Sequence, residues 1–178
     1  MSDLSKKRVA VLVCDGFEES ELTEPTKALR EAGATVEIVS KERTPLQAFQ
    51  HHKPTTTVDV DKTFAEASPD DYDAVLLPGG ALNADELRAD ADAQAFVKRV
   101  NEDGKPMAVI CHAPWILAST GIARGRKLTS WPSIQDDLRN AGARWSNEEV
   151  LVDDNIVTSR GPQDLPAFNR AMCELFAR

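Results

Sequence analysis

Cys111 stands where the apolar run Met107-Ala108-Val109-Ile110 meets Pro114 to Ser119, a stretch that reads as the first turns of a helix. A cysteine between a buried strand and a helix start lies on a sharp turn with its thiol exposed, the arrangement of a nucleophile elbow. The helix amino terminus offers free N–H groups and positive potential, both of which stabilise a thiolate. Cys111 is therefore expected to titrate below an ordinary cysteine. Free cysteines are also commonly buried for packing alone. The adjacent His112 and two further strand-end motifs weigh against that plainer role.

The second motif is Leu77-Pro78-Gly79-Gly80-Ala81. Glycines at a strand end let backbone N–H groups come close to a ligand oxygen. With the amide of His112, those of Gly79 and Gly80 are expected to form an oxyanion hole. The third motif is Cys14-Asp15-Gly16-Phe17-Glu18-Glu19. A carboxyl beside a thiolate has its pKa raised by like-charge repulsion, and once protonated it donates to sulfur. Glu18 is expected in that role, while Glu19, Glu21 and Glu24 read as solvated acids near a helix start. His112 acts as acid or base only if something orients its ring. His51 and His52 read as loop residues. With no third ligand in view, no metal is expected, and no cofactor.

Positioning these motifs requires strand ends brought together. Arg8 to Cys14, Thr35 to Val39, Ala74 to Leu77 and Met107 to Ile110 read as strands. Leu22, Pro25, Leu29 and Ala32 recur at helical spacing before Gly33. Ala89, Ala93, Phe96, Val97 and Val100 form one helical face that stops near Gly104. Between these elements, Thr55 to Val60 alternates like an exposed edge strand or hairpin. Ser133 and Asp136 resemble a capping box opening a helix that closes at Gly142. Asp153-Asp154-Asn155 reads as a hairpin turn, and Leu165, Phe168, Met172, Leu175 and Phe176 as a closing amphipathic helix. Strands alternating with helices predict a mostly parallel sheet with helices on both faces, and active sites in such folds lie at the carboxyl ends of strands.

The chain has 178 residues, enough for one domain spanning 1–178, with residues 1–7 expected as a flexible N-terminus. A net charge of -8 repels phosphate backbones and anionic membranes, so neither nucleic acid nor a membrane is expected as a partner. The apolar run after the polar start is too short for a signal peptide core or a membrane span. Three cysteines without CxxC spacing suit a reducing compartment, and the protein reads as cytoplasmic.

On Phe17-Glu18, Leu77-Pro78-Gly79-Gly80, Asn83 to Arg88, Gly104-Lys105-Pro106, Ile110-Cys111-His112, Gly125-Arg126-Lys127, Asp136 to Gly142 and Ser159-Arg160, the sequence resembles the ThiJ/PfpI superfamily, nearest its PfpI-like branch. The resemblance spans Val9 to about Phe176. It implies a flavodoxin-like three-layer sandwich and a homodimer or homohexamer. Cys111 would be the nucleophile, Glu18 its protonated partner, and His112 a histidine oriented by Asp85 of a neighbouring subunit. Two departures stand out. Ala113 replaces a frequent glycine and is expected to narrow the pocket, and Trp131 stands where many relatives carry tyrosine, at the pocket rim. The resemblance implies stress-protective chemistry on small reactive carbonyls or glyoxal adducts, of deglycase or glyoxalase type. The alternatives are an ATP-independent cysteine peptidase and a non-enzymatic redox sensor.

Overall fold

A computed structural model describes residues 2–178. In chain order the strands and helices are β1 (Arg8–Leu12), β2 (Phe17–Glu18), α1 (Glu19–Glu31), β3 (Thr35–Ser40), β4 (Leu46–Gln50), β5 (Lys53–Val58), β6 (Lys62–Thr63) and β7 (Ala74–Leu77). They continue with α2 (Ala81–Ala89), α3 (Ala91–Glu102), β8 (Met107–Ile110), α4 (Trp115–Ser119), β9 (Lys127–Leu128), α5 (Gln135–Asn140), β10 (Arg144–Trp145), β11 (Val150–Asp153), β12 (Ile156–Ser159) and α6 (Leu165–Phe176).

Seven strands form the central sheet in the order β11-β12-β8-β7-β1-β3-β6. Every pairing is parallel except that of β11 with β12. Alternate strand residues feed two cores. Ala10, Leu12, Val75, Leu77, Met107 and Val109 pack against α2 to α5, whereas Val9, Val11, Ala74, Leu76, Ala108 and Ile110 pack against α1 and α6. The result is a three-layer α/β sandwich. Burial on both faces explains why β1 after Arg8, and β7 and β8 throughout, read as unbroken apolar runs.

The strand order reverses around β1, which has β3 on one side and β7 on the other. Because β7 lies between β1 and β8, the carboxyl ends of these three strands are neighbours. Cys14, Gly79 and Cys111 follow those ends, so the three motifs converge at the place where open α/β sheets bind ligands.

Several expectations need adjusting. The N-terminal segment is anchored. Leu4 is fully buried, its amide donates to Ala32 O, and Lys7 donates to Leu4 O. The expected flexible stretch thus packs under α1, apart from Met1, which lies outside the described residues. The helical face beginning at Ala89 belongs to two helices. Asp90 breaks the run and caps α3, its carboxylate accepting from the amides of Asp92 and Ala93. The Ser133 capping box does not form, because Pro132–Ile134 is a 3-10 turn and α5 starts after Ile134 without a side-chain cap. The Thr55 alternation is edge strand β5, and its partner β4 joins it to β2 in a separate three-stranded sheet. Among the described residues no helix is long and apolar enough to cross a membrane.

Candidate active site

Cys111 leaves β8 with a φ of 64°, a left-handed conformation rare for a side-chain-bearing residue. Its amide donates to Ser159 O at 3.0 Å and its carbonyl accepts from Trp131 N at 2.9 Å. The elbow is thus fixed from β12 on one side and from the Trp131 loop on the other. Such strain persists where the surroundings over-determine it, commonly at functional sites. Helix α4 starts only at Trp115, four residues on, so the sulfur is served by individual amides rather than by a helix end. The N–H groups of Gly80 and His112 face it and favour its anion.

The carboxyl beside the sulfur belongs to Glu21. Its side chain is fully buried, with the Cys111 thiol and the Gly79 amide as the polar groups before it. Neither makes a well-aligned hydrogen bond to it, and both carboxyl oxygens remain without a partner. Burial pushes Glu21 up to about 8, so at neutral pH it holds a proton. Burial also pushes the Cys111 thiol well up, with the Glu21 charge adding to the shift and the Gly80 and His112 amides opposing it. The expectation of a simply acidic thiol is therefore not met. The repulsion from Glu21 acts only when Glu21 is ionised. Below about pH 8 it is a neutral acid able to donate to sulfur.

Glu18, expected in that role, points elsewhere. As part of β2 it pairs with Phe49 of β4, and its Oε2 accepts from the amide of His51 at 3.0 Å. That bond holds the turn at His51-His52, where His51 itself has a φ of 56°. A signal for Glu21 is present in the sequence. It lies one residue before Leu22, four before Pro25 and eight before Leu29, on the buried face of α1. A carboxyl on an apolar stripe is a stronger candidate than one at a strand end, because burial alone raises its pKa.

His112 Nδ1 lies 3.2 Å from Cys111 Sγ. Its ring stacks on Trp131 at 6.0 Å and meets the edge of Trp115 at 5.4 Å. Burial lowers its pKa, so the neutral form is favoured. Trp131 is 36% exposed at the rim and forms one wall for this ring. Asp85 is exposed on α2, and within this chain it forms neither an ion pair nor a hydrogen bond with His112. Ala113 does not narrow the pocket; its methyl packs into the core on the α2–α5 face. Gly79 turns its amide to Glu21, leaving those of Gly80 and His112 for an oxygen next to the sulfur.

Glu18, Glu21, Gly80, Cys111, His112 and Trp131 line a cleft of about 630 Å³ that also includes Phe49, His51, His52, Leu82 and Pro162. The His51-His52 turn, which reads as plain loop in the sequence, forms one wall of it. Among the described residues no three His, Cys, Asp or Glu side chains are grouped to hold a metal ion.

A thiol on a strained elbow, a buried protonated carboxyl and two convergent amides, mounted on a doubly wound sheet, define a cysteine-nucleophile α/β protein. Residues 7–175 match the DJ-1/PfpI family, and the chain belongs to that family. It is 45% identical over 168 residues to "Deglycase TK1284" of Thermococcus kodakarensis, covering 94% of this chain and 98% of that one. It is 43% identical over 170 residues to "Protein/nucleic acid deglycase 2" of Escherichia coli, covering 95% and 97%. Among solved structures, Drosophila melanogaster DJ-1beta superposes with a TM-score of 0.88 at 28% identity, covering 99% of this chain and 91% of that one.

Proposed function

We propose that the protein is a cysteine-dependent deglycase that acts on small reactive carbonyls and glyoxal adducts. The observation that carries this reading is the Cys111–Glu21 pair, a nucleophile and a buried proton-holding acid in one cleft. Neutral His112, whose Nδ1 lies 3.2 Å from the sulfur, takes the thiol proton as sulfur adds to the electrophilic carbonyl carbon and the C=O electron pair moves to oxygen. The amides of Gly80 and His112 face the developing oxyanion, and Glu21 or His112 delivers the proton. A cleft of about 630 Å³ is within the size range of small-molecule sites, which favours a small adduct over a polypeptide threaded through a groove.

The test is turnover of methylglyoxal and its thiol adducts beside a fluorogenic peptide, with Cys111→Ala as control. Carbonyl turnover confined to the wild type supports the reading. Carbonyl turnover that survives in Cys111→Ala, or wild-type activity on the peptide alone, overturns it.

The cleft opens beside the exposed Leu82 and Trp131, and among the described residues His112 has no carboxylate partner. We assign that role to Asp85 from a second copy in a homodimer or homohexamer. An assembled Asp85→Ala protein is expected to lose turnover while Cys111 keeps its wild-type rate of alkylation. Unchanged turnover in that variant removes Asp85 from the site.

A further inference from the structure

The Gly79 and Gly80 amides are aimed by a residue outside the reacting groups. Asn83 lies on the first turn of α2 and is fully buried. Its Nδ2 donates to Pro78 O at 2.9 Å and to Gly79 O at 3.0 Å, and its Oδ1 accepts from Cys14 N at 2.7 Å. One carboxamide therefore joins the end of β1 to the loop after β7.

A peptide unit is planar and trans, so the C=O of one residue and the N–H of the next point in opposite directions. Pulling Pro78 O toward Asn83 turns the Gly79 N–H the other way, toward Glu21. Pulling Gly79 O toward Asn83 turns the Gly80 N–H toward Cys111 Sγ. We infer that Asn83 is a positioning residue which, by gripping two consecutive carbonyls, aims two consecutive amides, one at the acid and one at the nucleophile. Gly79 O also accepts from Glu18 N at 3.2 Å, so the Gly79–Gly80 peptide has a second support. Loss of Asn83 is accordingly expected to free the Pro78–Gly79 peptide more than the one after it.

The side-chain chemistry requires an amide. Two carbonyls need two donors and the Cys14 N–H needs an acceptor, a combination that only Asn or Gln provides, and Gln is one methylene too long for this buried site. Aspartate keeps the shape but, ionised, only accepts, and it would repel both carbonyls.

The inference rests on Cys111 being the nucleophile but not on which adduct it takes. The experiment therefore reads the thiol directly. Iodoacetamide alkylation of Cys111 is followed against pH in wild type, Asn83→Asp and Asn83→Ser, alongside methylglyoxal kinetics. Leu87→Ala, a core change on the same helix, is the control for general loosening. The Asn83 variants are expected to shift the alkylation midpoint upward and to lower kcat about tenfold or more with little change in KM, as for loss of aligned transition-state contacts. Leu87→Ala should leave the midpoint in place. In wild type, the backbone amide signals of Gly79 and Gly80 should move through the same titration in a nitrogen–proton correlation spectrum.

A folded Asn83 variant with the wild-type midpoint and kcat overturns the inference. So does a wild type whose Gly79 and Gly80 signals stay still while the thiol ionises, even if no Asn83 variant folds. A wild type in which Cys111 shows no titration at all instead removes the nucleophile on which both readings depend.

Discussion

Glu21→Leu is expected to abolish carbonyl turnover, while Glu18→Gln leaves kcat within the same order of magnitude. Positioned acid–base groups contribute about 10²–10⁴-fold, and Glu21 is the only carboxyl facing the Cys111 sulfur among the described residues. Glu21→Gln separates two roles. The amide still donates a hydrogen bond to sulfur but cannot release a proton, so it should retain the oriented thiol and lose the proton-transfer step. In Glu18→Gln the side-chain oxygen that accepts from His51 is kept, and the hairpin turn stays in place. Substrate kinetics on the three variants check this directly. A Glu18→Gln protein as inactive as Glu21→Leu would restore Glu18 to the reaction.

The same carboxyl sets a pH dependence. Its pKa is raised on folding from 4.5 to about 8, so the native state holds this proton more tightly than the unfolded chain. The stabilising contribution is fully present below about pH 4.5 and is lost as pH rises toward about 8. Denaturant titrations from pH 5 to 9 should show wild-type stability falling relative to Glu21→Gln, which has no group to ionise there. Parallel curves for the two proteins would mean that Glu21 is already ionised at neutral pH.

Much of the architecture was legible because strands buried on both faces must be apolar throughout, which marked β1, β7 and β8 without alignment. Their order was not encoded in any single run. The convergence of Cys14, Gly79 and Cys111 follows from β7 lying between β1 and β8. Cys111 itself was readable from its place between strand and helix. Glu21 was hidden among four glutamates in seven residues, where composition suggests a solvated helix start and only the helical phase of Leu22, Pro25 and Leu29 separates it from the rest. The wall formed by His51 and His52 depends on β4 pairing with β2, a contact between short segments that carries no periodic signal. Asn83 was visible only as part of a motif, since its work lies in two carbonyls whose direction a sequence does not show. Ala113 shows the converse case. Two positions after Cys111 it points into the core, while His112 between them faces the sulfur, because successive residues on a turn face different ways.

Gly79→Ala should cost activity out of proportion to stability. The φ of Gly79 lies outside the left-handed region, so an added methyl meets no left-handed strain there. What it meets is the site itself. The new Cβ would overlap Glu21 Oε2, stand 2.5 Å from Cys111 Cβ and lie 2.9 Å from Ile110 O. Relief requires moving the acid, the nucleophile or the amide that faces the acid. Overpacking of this kind costs about 1–3 kcal/mol, whereas a displacement of about 1 Å at reacting groups can cost about 10²-fold in rate. Gly104→Ala supplies the opposite case. Its φ is 67° and nothing lies within 4 Å of its missing Cβ, so the whole cost is backbone strain, about 1–2 kcal/mol, at a helix end remote from the cleft. The two variants should therefore show similar losses of thermal stability, while only Gly79→Ala loses turnover. Equal activity in the two at a temperature where both are folded would mean that the Glu21–Cys111 spacing tolerates the methyl, and that the glycine is kept for some other reason.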